Sequence, residues 1–201
     1  MQLRPALLAL AFVLPLGTAC ATSPPQKALT MQDVLDASTP DDWRALDPEN
    51  TLYLELAGGR VVIVLAPEFA QQQVDNIRTL VRAGYFDGLT INRSQDNFVV
   101  QWGDPAGDEL ALRRPLGEAK AALPAEFSRA AEGLDFHALP DPDGWAPEVG
   151  FVQGFAAARD PKAGKAWLTH CYGTVGAGRA MAPDSSNGSE LYVVTGQSPR
   201  Q

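Results

Sequence analysis

Residues 51–65 limit the possible folds more than any other stretch of the chain. Leu52, Leu54 and Leu56 alternate with Thr51, Tyr53 and Glu55, and a period of two is the pattern of a strand with one face buried. Gly58-Gly59 follows, then the run Arg60-Val61-Val62-Ile63-Val64-Leu65. Two such runs separated by a glycine pair predict a β-hairpin. Pro67 next opens a helical pattern, since a proline costs no hydrogen bond in the first turn and Glu68 suits the positive end of the dipole. Val74, Ile77, Leu80 and Val81 fall on one stripe of that helix, and Gly84 supplies its C-terminal stop, with Tyr85 and Phe86 beyond. Residues 89–93 and 98–102 read as two further strands around a Ser94-Gln95-Asp96-Asn97 turn.

Beyond Asp104 the periodicity fades. Pro105, Gly107, Pro115, Gly117, Pro124, Pro140, Gly144 and Pro147 interrupt residues 104–160, which predicts long loops with short elements. Residues 166–172 and 190–195 read as strands. With 18 glycines and 16 prolines in 201 residues, short strands and frequent turns outweigh helix. The expected class is mainly β, a barrel or sandwich rather than a layered α/β fold.

The amino terminus reads as an address. Arg4 precedes the apolar run 6–16, which is too short to span a bilayer as a helix and has signal-peptide proportions. Two processing outcomes stay open. Ala19-Cys20-Ala21 fits a signal-peptidase site, while Thr18-Ala19-Cys20 is similar to a bacterial lipobox in which Cys20 is lipidated. The expected organisation is a signal over 1–21, a linker over 22–50 with a short helix near residues 31–37, and a folded domain over 51–201. The expected location is the periplasm or cell envelope, with a lipid anchor through Cys20 as the variant reading.

Net charge is −8 and the isoelectric point is near 4.7, which argues against a nucleic-acid partner because phosphate contacts need a basic face. The two cysteines are too few for a disulfide-stapled scaffold. His170-Cys171 offers no nucleophilic dyad if both lie on one strand, where neighbours face opposite ways. Two histidines without acidic residues at ligand spacing make no metal site. Asp141, Asp143 and Glu148 read as a solvated acidic loop.

One stretch is more specific. Tyr85-Phe86-Asp87-Gly88-Leu89-Thr90-Ile91-Asn92-Arg93, followed by Phe98-Val99-Val100-Gln101-Trp102-Gly103-Asp104-Pro105, resembles the cyclophilin family of peptidyl-prolyl isomerases, which reads Y-D-G-x-x-F-H-R-V-I-x-x-F-M-I-Q-G-G-D. Gly176-Ala177-Gly178-Arg179-Ala180 and Asn187-Gly188-Ser189-Glu190-Leu191-Tyr192-Val193 resemble its M-A-(N/R)-A and (N)-G-S-Q-F-F-I. Residues 51–105 and 173–197 carry the likeness. Between them Ala125-Glu126-Phe127 matches, and 106–172 reads as a divergent insertion.

The resemblance implies an antiparallel barrel with a capping helix and a groove on its outer face. Arg93 is then the catalytic guanidinium and Gln101 a hydrogen-bond donor to the substrate backbone. Phe98, Val99, Leu191 and Tyr192 line the substrate groove, and Gly178 and Arg179 hold the residue before proline. The implied partners are proline-containing polypeptides, met by a monomer that touches the membrane only through a lipid on Cys20. The implied reaction is X–Pro isomerisation during the folding of exported proteins, and no cofactor is expected, because rotation about an amide breaks no bond. Two alternatives use the same residues differently: a peptide-binding module or chaperone without turnover, and a purely structural lipoprotein.

This chain also departs from the family pattern. Ile91-Asn92 stands for F-H, Trp102 for the first glycine after the glutamine, and Ser189-Glu190-Leu191-Tyr192 for S-Q-F-F. Gln201 falls where the family continues into its last strands and second helix, so the expectation is a domain incomplete at its C-terminus, with exposed strand edges.

Overall fold

A computed structural model of the chain describes residues 28–107, 109, 111–141 and 143–196. The signal, the lipobox and Cys20 lie outside them. Two units separate along the chain, one ending at Ala45 and one spanning Leu46–Gln201. In the first, helix α1 (Met31–Ala37) begins at a capping box: the Asp33 amide donates to the Thr30 hydroxyl at 3.1 Å, and the Thr30 amide donates to the Asp33 carboxylate at 2.8 Å. Each partner satisfies an amide that the first turn leaves open. The helix buries none of its residues.

The second unit opens with strands β1 (Thr51–Leu56) and β2 (Gly59–Val64), paired antiparallel with Leu56 opposite Gly59. The helix that follows, α2 (Gln71–Arg82), starts later than Pro67 and Glu68 imply. Ala66 and Phe69 are buried in a core cluster with Val152, Ala157 and Ala166, so residues 67–69 turn to seat them before the helix can begin. Ala70 at the N-cap offers no side-chain acceptor. Glu126 takes that role from a distant part of the chain, accepting from the Gln72 and Gln73 amides at 3.1 and 2.9 Å. A carboxylate there answers both the open N–H groups and the helix dipole.

Val74, Ile77 and Leu80 are buried as the stripe predicts, each contributing about 1.5–3 kcal/mol through apolar burial. Val81 instead faces solvent. Asn76 is buried beside the stripe, donating to the Lys120 and Asn187 carbonyls and accepting from the Lys120 amide. Gly84, at φ +68°, closes the helix. The Gly84 amide bonds Val81 O and the Tyr85 amide bonds Leu80 O, the paired pattern of a Schellman stop.

Strands β3 (Thr90–Ser94) and β4 (Val99–Gly103) follow. Five short strands come next: β5 (Arg129–Ala130), β6 (Phe136–Ala138), β7 (Glu148–Val152), β8 (Phe155–Asp160) and β9 (Lys165–Leu168). Strands β10 (Val175–Ala177) and β11 (Glu190–Val194) complete the described elements. The pairings form a two-stranded sheet β1-β2, a four-stranded sheet β10-β11-β4-β3 and a five-stranded sheet β5-β9-β8-β7-β6. Among the described residues the architecture is mainly β with two α-helices, and the strand pairings form these three sheets without running into a closed ring.

Residues 104–160 therefore hold more strand than their sequence implies. Ala157 and Ala158 are adjacent in β8 and both fully covered, so no period of two appears. Glu148, read as part of a solvated loop, sits on β7 and pairs with Arg159 at 2.6 Å. Strand β9 stops at Leu168, short of residue 172. His170 and Cys171 thus lie beyond any strand, and the opposite-face argument against their pairing does not apply to them. The principal core packs Ile63 and Leu65, Val74 and Ile77, and Trp102 and Leu191 together, joining the hairpin and α2 to the inner face of the four-stranded sheet.

Candidate functional site

The outer face of the four-stranded sheet gathers the candidate residues. In β4, Trp102 points into the core, so Val99 and Gln101 take the opposite face by strand alternation. Across the ladder Gln101 pairs with Tyr192, Val99 with Val194 and Gly103 with Glu190. Glu190 and Tyr192 thus share the face of Gln101, while Leu191, opposite Trp102, belongs to the core. Leu191 is 3% exposed and packs in the principal core. It leaves that face for a simple reason: neighbours on a strand point to opposite sides, and Tyr192 is on the side of Gln101.

Arg93 reaches that face through an irregularity. Ile91 pairs with Trp102 and Arg93 with Gln101, leaving Asn92 as an extra residue in a β-bulge. Without the bulge, Ile91 and Arg93 would look the same way. The bulge turns the arginine onto the Gln101 side, a use to which bulges are often put beside functional sites.

The Arg93 side chain is exposed, and its guanidinium carbon lies 5.1 Å from the centre of the Phe98 ring. Its Nη2 donates to Gln95 Oε1 at 2.8 Å. Phe98 is half-buried at the turn that Asn97 makes at φ +52°. Val99 and Val194, 3% and 0% exposed, form an apolar floor under this face.

Tyr192 stands over strand β10. A Cβ on Gly176, its ladder partner, would run into the phenol ring, so the ring lies where only glycine leaves room. Its hydroxyl is 2.9 Å from His170 Nε2, and the two rings are 5.4 Å apart. Burial holds the Tyr192 phenol above its ordinary pKa, with Arg179 pulling weakly the other way. At the far end Glu190 accepts a hydrogen bond from Gln101 Nε2 through Oε1. The Gly178 amide donates to the Glu190 carbonyl at 2.8 Å. Arg179 stacks 5.2 Å from the Phe127 ring and donates to the Ala180 carbonyl at 3.0 Å.

The structure therefore brings together Arg93, Phe98, Val99, Gln101 and Tyr192, with Gly178 and Arg179 at the β10 end, and separates Leu191 from them. Sequence reasoning missed Glu190, His170 and Phe127. Glu190 was legible, since it lies two residues from Tyr192 on one strand. His170 was not, because its contact depends on how the loop after β9 returns to β11. Chemically, the face offers an exposed cation beside the half-buried rings of Phe98 and Tyr192, an amide donor next to them, and a carboxylate beyond.

Comparison with known proteins gives a consistent picture. The family model for "Cyclophilin type peptidyl-prolyl cis-trans isomerase/CLD" matches residues 51–200. A probable peptidyl-prolyl cis-trans isomerase of Brucella suis is 37% identical over 91 residues, which is 42% of this chain and 46% of that protein. The human peptidyl-prolyl cis-trans isomerase-like 1 is 37% identical over 71 residues, 35% of this chain and 40% of that one. The chain thus matches about half the length of the first of these relatives, and less of the second. Among solved structures, a cyclophilin from Hirschia baltica superposes with a TM-score of 0.67 at 28% identity, covering 86% of this chain and 66% of the other.

Proposed function

The chain belongs to the cyclophilin-type peptidyl-prolyl cis-trans isomerase family, and from that membership we propose that its Arg93 face speeds rotation about X–Pro bonds in exported polypeptides. Resonance sets an amide rotation barrier of about 18–20 kcal/mol, and X–Pro bonds exchange unaided over tens to hundreds of seconds. A catalyst lowers the barrier by binding the twisted imide better than either planar form. Twisting localises the lone pair on the proline nitrogen. A permanently charged guanidinium aimed there is matched to that change and needs no reorganisation. The Phe98, Val99 and Tyr192 slot grips the ring, and Gln101 holds the neighbouring backbone.

The observation that carries this reading is the seating of Arg93 against Phe98, on the face shared by Gln101 and Tyr192. A two-dimensional NMR exchange experiment on a short Ala-Pro peptide tests it. The protein should accelerate exchange, and Arg93→Ala should reduce the effect by about 100-fold or more, the scale of losing one preorganised charge donor. Exchange that is fast and indifferent to Arg93→Ala defeats the proposal.

A second reading, a module that holds peptide without turnover, has its own observation: Gln101 Nε2 already donates to Glu190, which takes up one of the amide's two N–H groups before any substrate arrives. Peptide binding with unchanged exchange rates is the signature of such a holding module. The proposed export rests on the apolar run 6–16 and Cys20. Mass analysis of the mature N-terminus from membrane and soluble fractions checks it, an acylated Cys20 marking the anchored form.

A further inference from the structure

We infer that Glu190 makes this groove selective for polypeptides carrying lysine or arginine within two residues of the proline. The inference rests on the proposed isomerase reading and deepens it by naming a substrate class. Glu190 shares the groove face with Tyr192 and lies two residues from it on β11, a separation of about 7 Å at strand spacing. An extended peptide whose proline sits in the slot beside Tyr192 therefore carries a neighbouring residue past the Glu190 carboxylate.

That carboxylate is built into the site. Oε1 accepts from Gln101, which fixes the side chain on the groove face. Oε2 is directed toward Gly178, near enough that a Cβ there would lie 3.3 Å away, and the glycine leaves that approach open. Glu190 is half-buried, so its charge is less screened than that of a fully exposed group.

The two arginines facing the same region are directed elsewhere. Arg93 stacks on Phe98 and bonds Gln95, and Arg179 stacks on Phe127 and bonds the Ala180 carbonyl. Among the described residues no lysine or arginine nitrogen lies within ion-pair distance of the Glu190 carboxylate. A cationic side chain on the ligand can supply the missing counter-charge. The net charge of −8 adds a long-range attraction for basic segments, but one that Glu190 alone does not control.

The experiment compares proline peptides that differ only in one flanking residue, lysine, glutamine or glutamate, placed on either side of the proline. Affinity is read from amide shift titrations of the protein and turnover from NMR exchange, for the wild-type chain and for Glu190→Gln. Wild type should favour lysine over glutamate by about two- to five-fold on at least one side, the scale of a partly solvated ion pair. Glu190→Gln should collapse that ratio toward one at the same ionic strength.

Equal binding of the lysine and glutamate peptides by wild type overturns the inference, as does a preference that survives Glu190→Gln unchanged. If that variant does not fold, Glu190→Ala takes its place, and a preference that is unchanged in it counts against the inference. Charge preference in binding without exchange would sink the isomerase reading alone. Exchange without charge preference would sink the inference alone.

Discussion

Gly176→Ala should unsettle the site through a single methyl group. Gly176 lies opposite Tyr192 in the β10–β11 ladder, and a Cβ there collides with the phenol ring. The ring must leave its position, losing the 2.9 Å contact with His170, a net loss of about 0.5–1.5 kcal/mol. Pushing it off its rotamer costs about 0.5–1.5 kcal/mol more. Against these, alanine restricts the unfolded chain and returns about 0.4–1 kcal/mol where the backbone accepts it, and Gly176 has no positive φ. The balance is a destabilisation of about 1–2 kcal/mol. Urea unfolding at constant slope measures it. The decisive measurement is the double-mutant cycle with Tyr192→Ala: once the ring is gone, Gly176→Ala should turn stabilising, with a coupling of about 1–3 kcal/mol. A neutral or stabilising Gly176→Ala in the wild-type background, or a coupling below about 0.5 kcal/mol, would refute the packing argument.

The other predictions test the core, the helix clamp and the titration of the phenols. Leu191→Ala should destabilise by about 2–5 kcal/mol, as core truncations do, because the residue packs with Trp102 and Ile77; a loss confined to peptide affinity would return it to the groove. Asn76→Ala strips partners from the Lys120 amide and the Lys120 and Asn187 carbonyls and should cost about 1–3 kcal/mol in thermal or urea unfolding. Glu126→Ala removes the acceptor for the first α2 amides and should cost about 0.5–2 kcal/mol, visible as faster hydrogen exchange at Gln72 and Gln73. Burial raises the phenols of Tyr85 and Tyr192 above the ordinary value of 10.0. A folded phenol that keeps its proton longer than the unfolded one contributes stability that is complete below pH 10.0 and disappears as pH climbs through the raised folded value. Alkaline unfolding followed by phenolate absorbance should show this loss, and Tyr192→Phe should remove the part due to Tyr192.

Much of this molecule is legible in contiguous residues. The hairpin follows from the leucine alternation and Gly58-Gly59, the buried face of α2 from Val74, Ile77 and Leu80, and the helix stop from Gly84. Each depends on a period or a dihedral preference that a few neighbours state completely. Even the separation of Leu191 from Tyr192 was available, because a strand alternates whatever surrounds it.

Tertiary structure decided the rest. Only strand pairing shows that one extra residue at Asn92 swings Arg93 onto the face of Gln101. Only the fold brings Glu126 to a helix it does not adjoin in sequence, or His170 to Tyr192. Of the five-stranded sheet only a strand near β9 is legible in the sequence, and β8 is not, because its covered residues Ala157 and Ala158 are adjacent alanines that leave no hydrophobic period to read. Local pattern reports which face of an element is apolar. The site depends instead on register between strands almost ninety residues apart, as at Gln101 and Glu190, and register is settled by long-range packing that no short window of sequence contains.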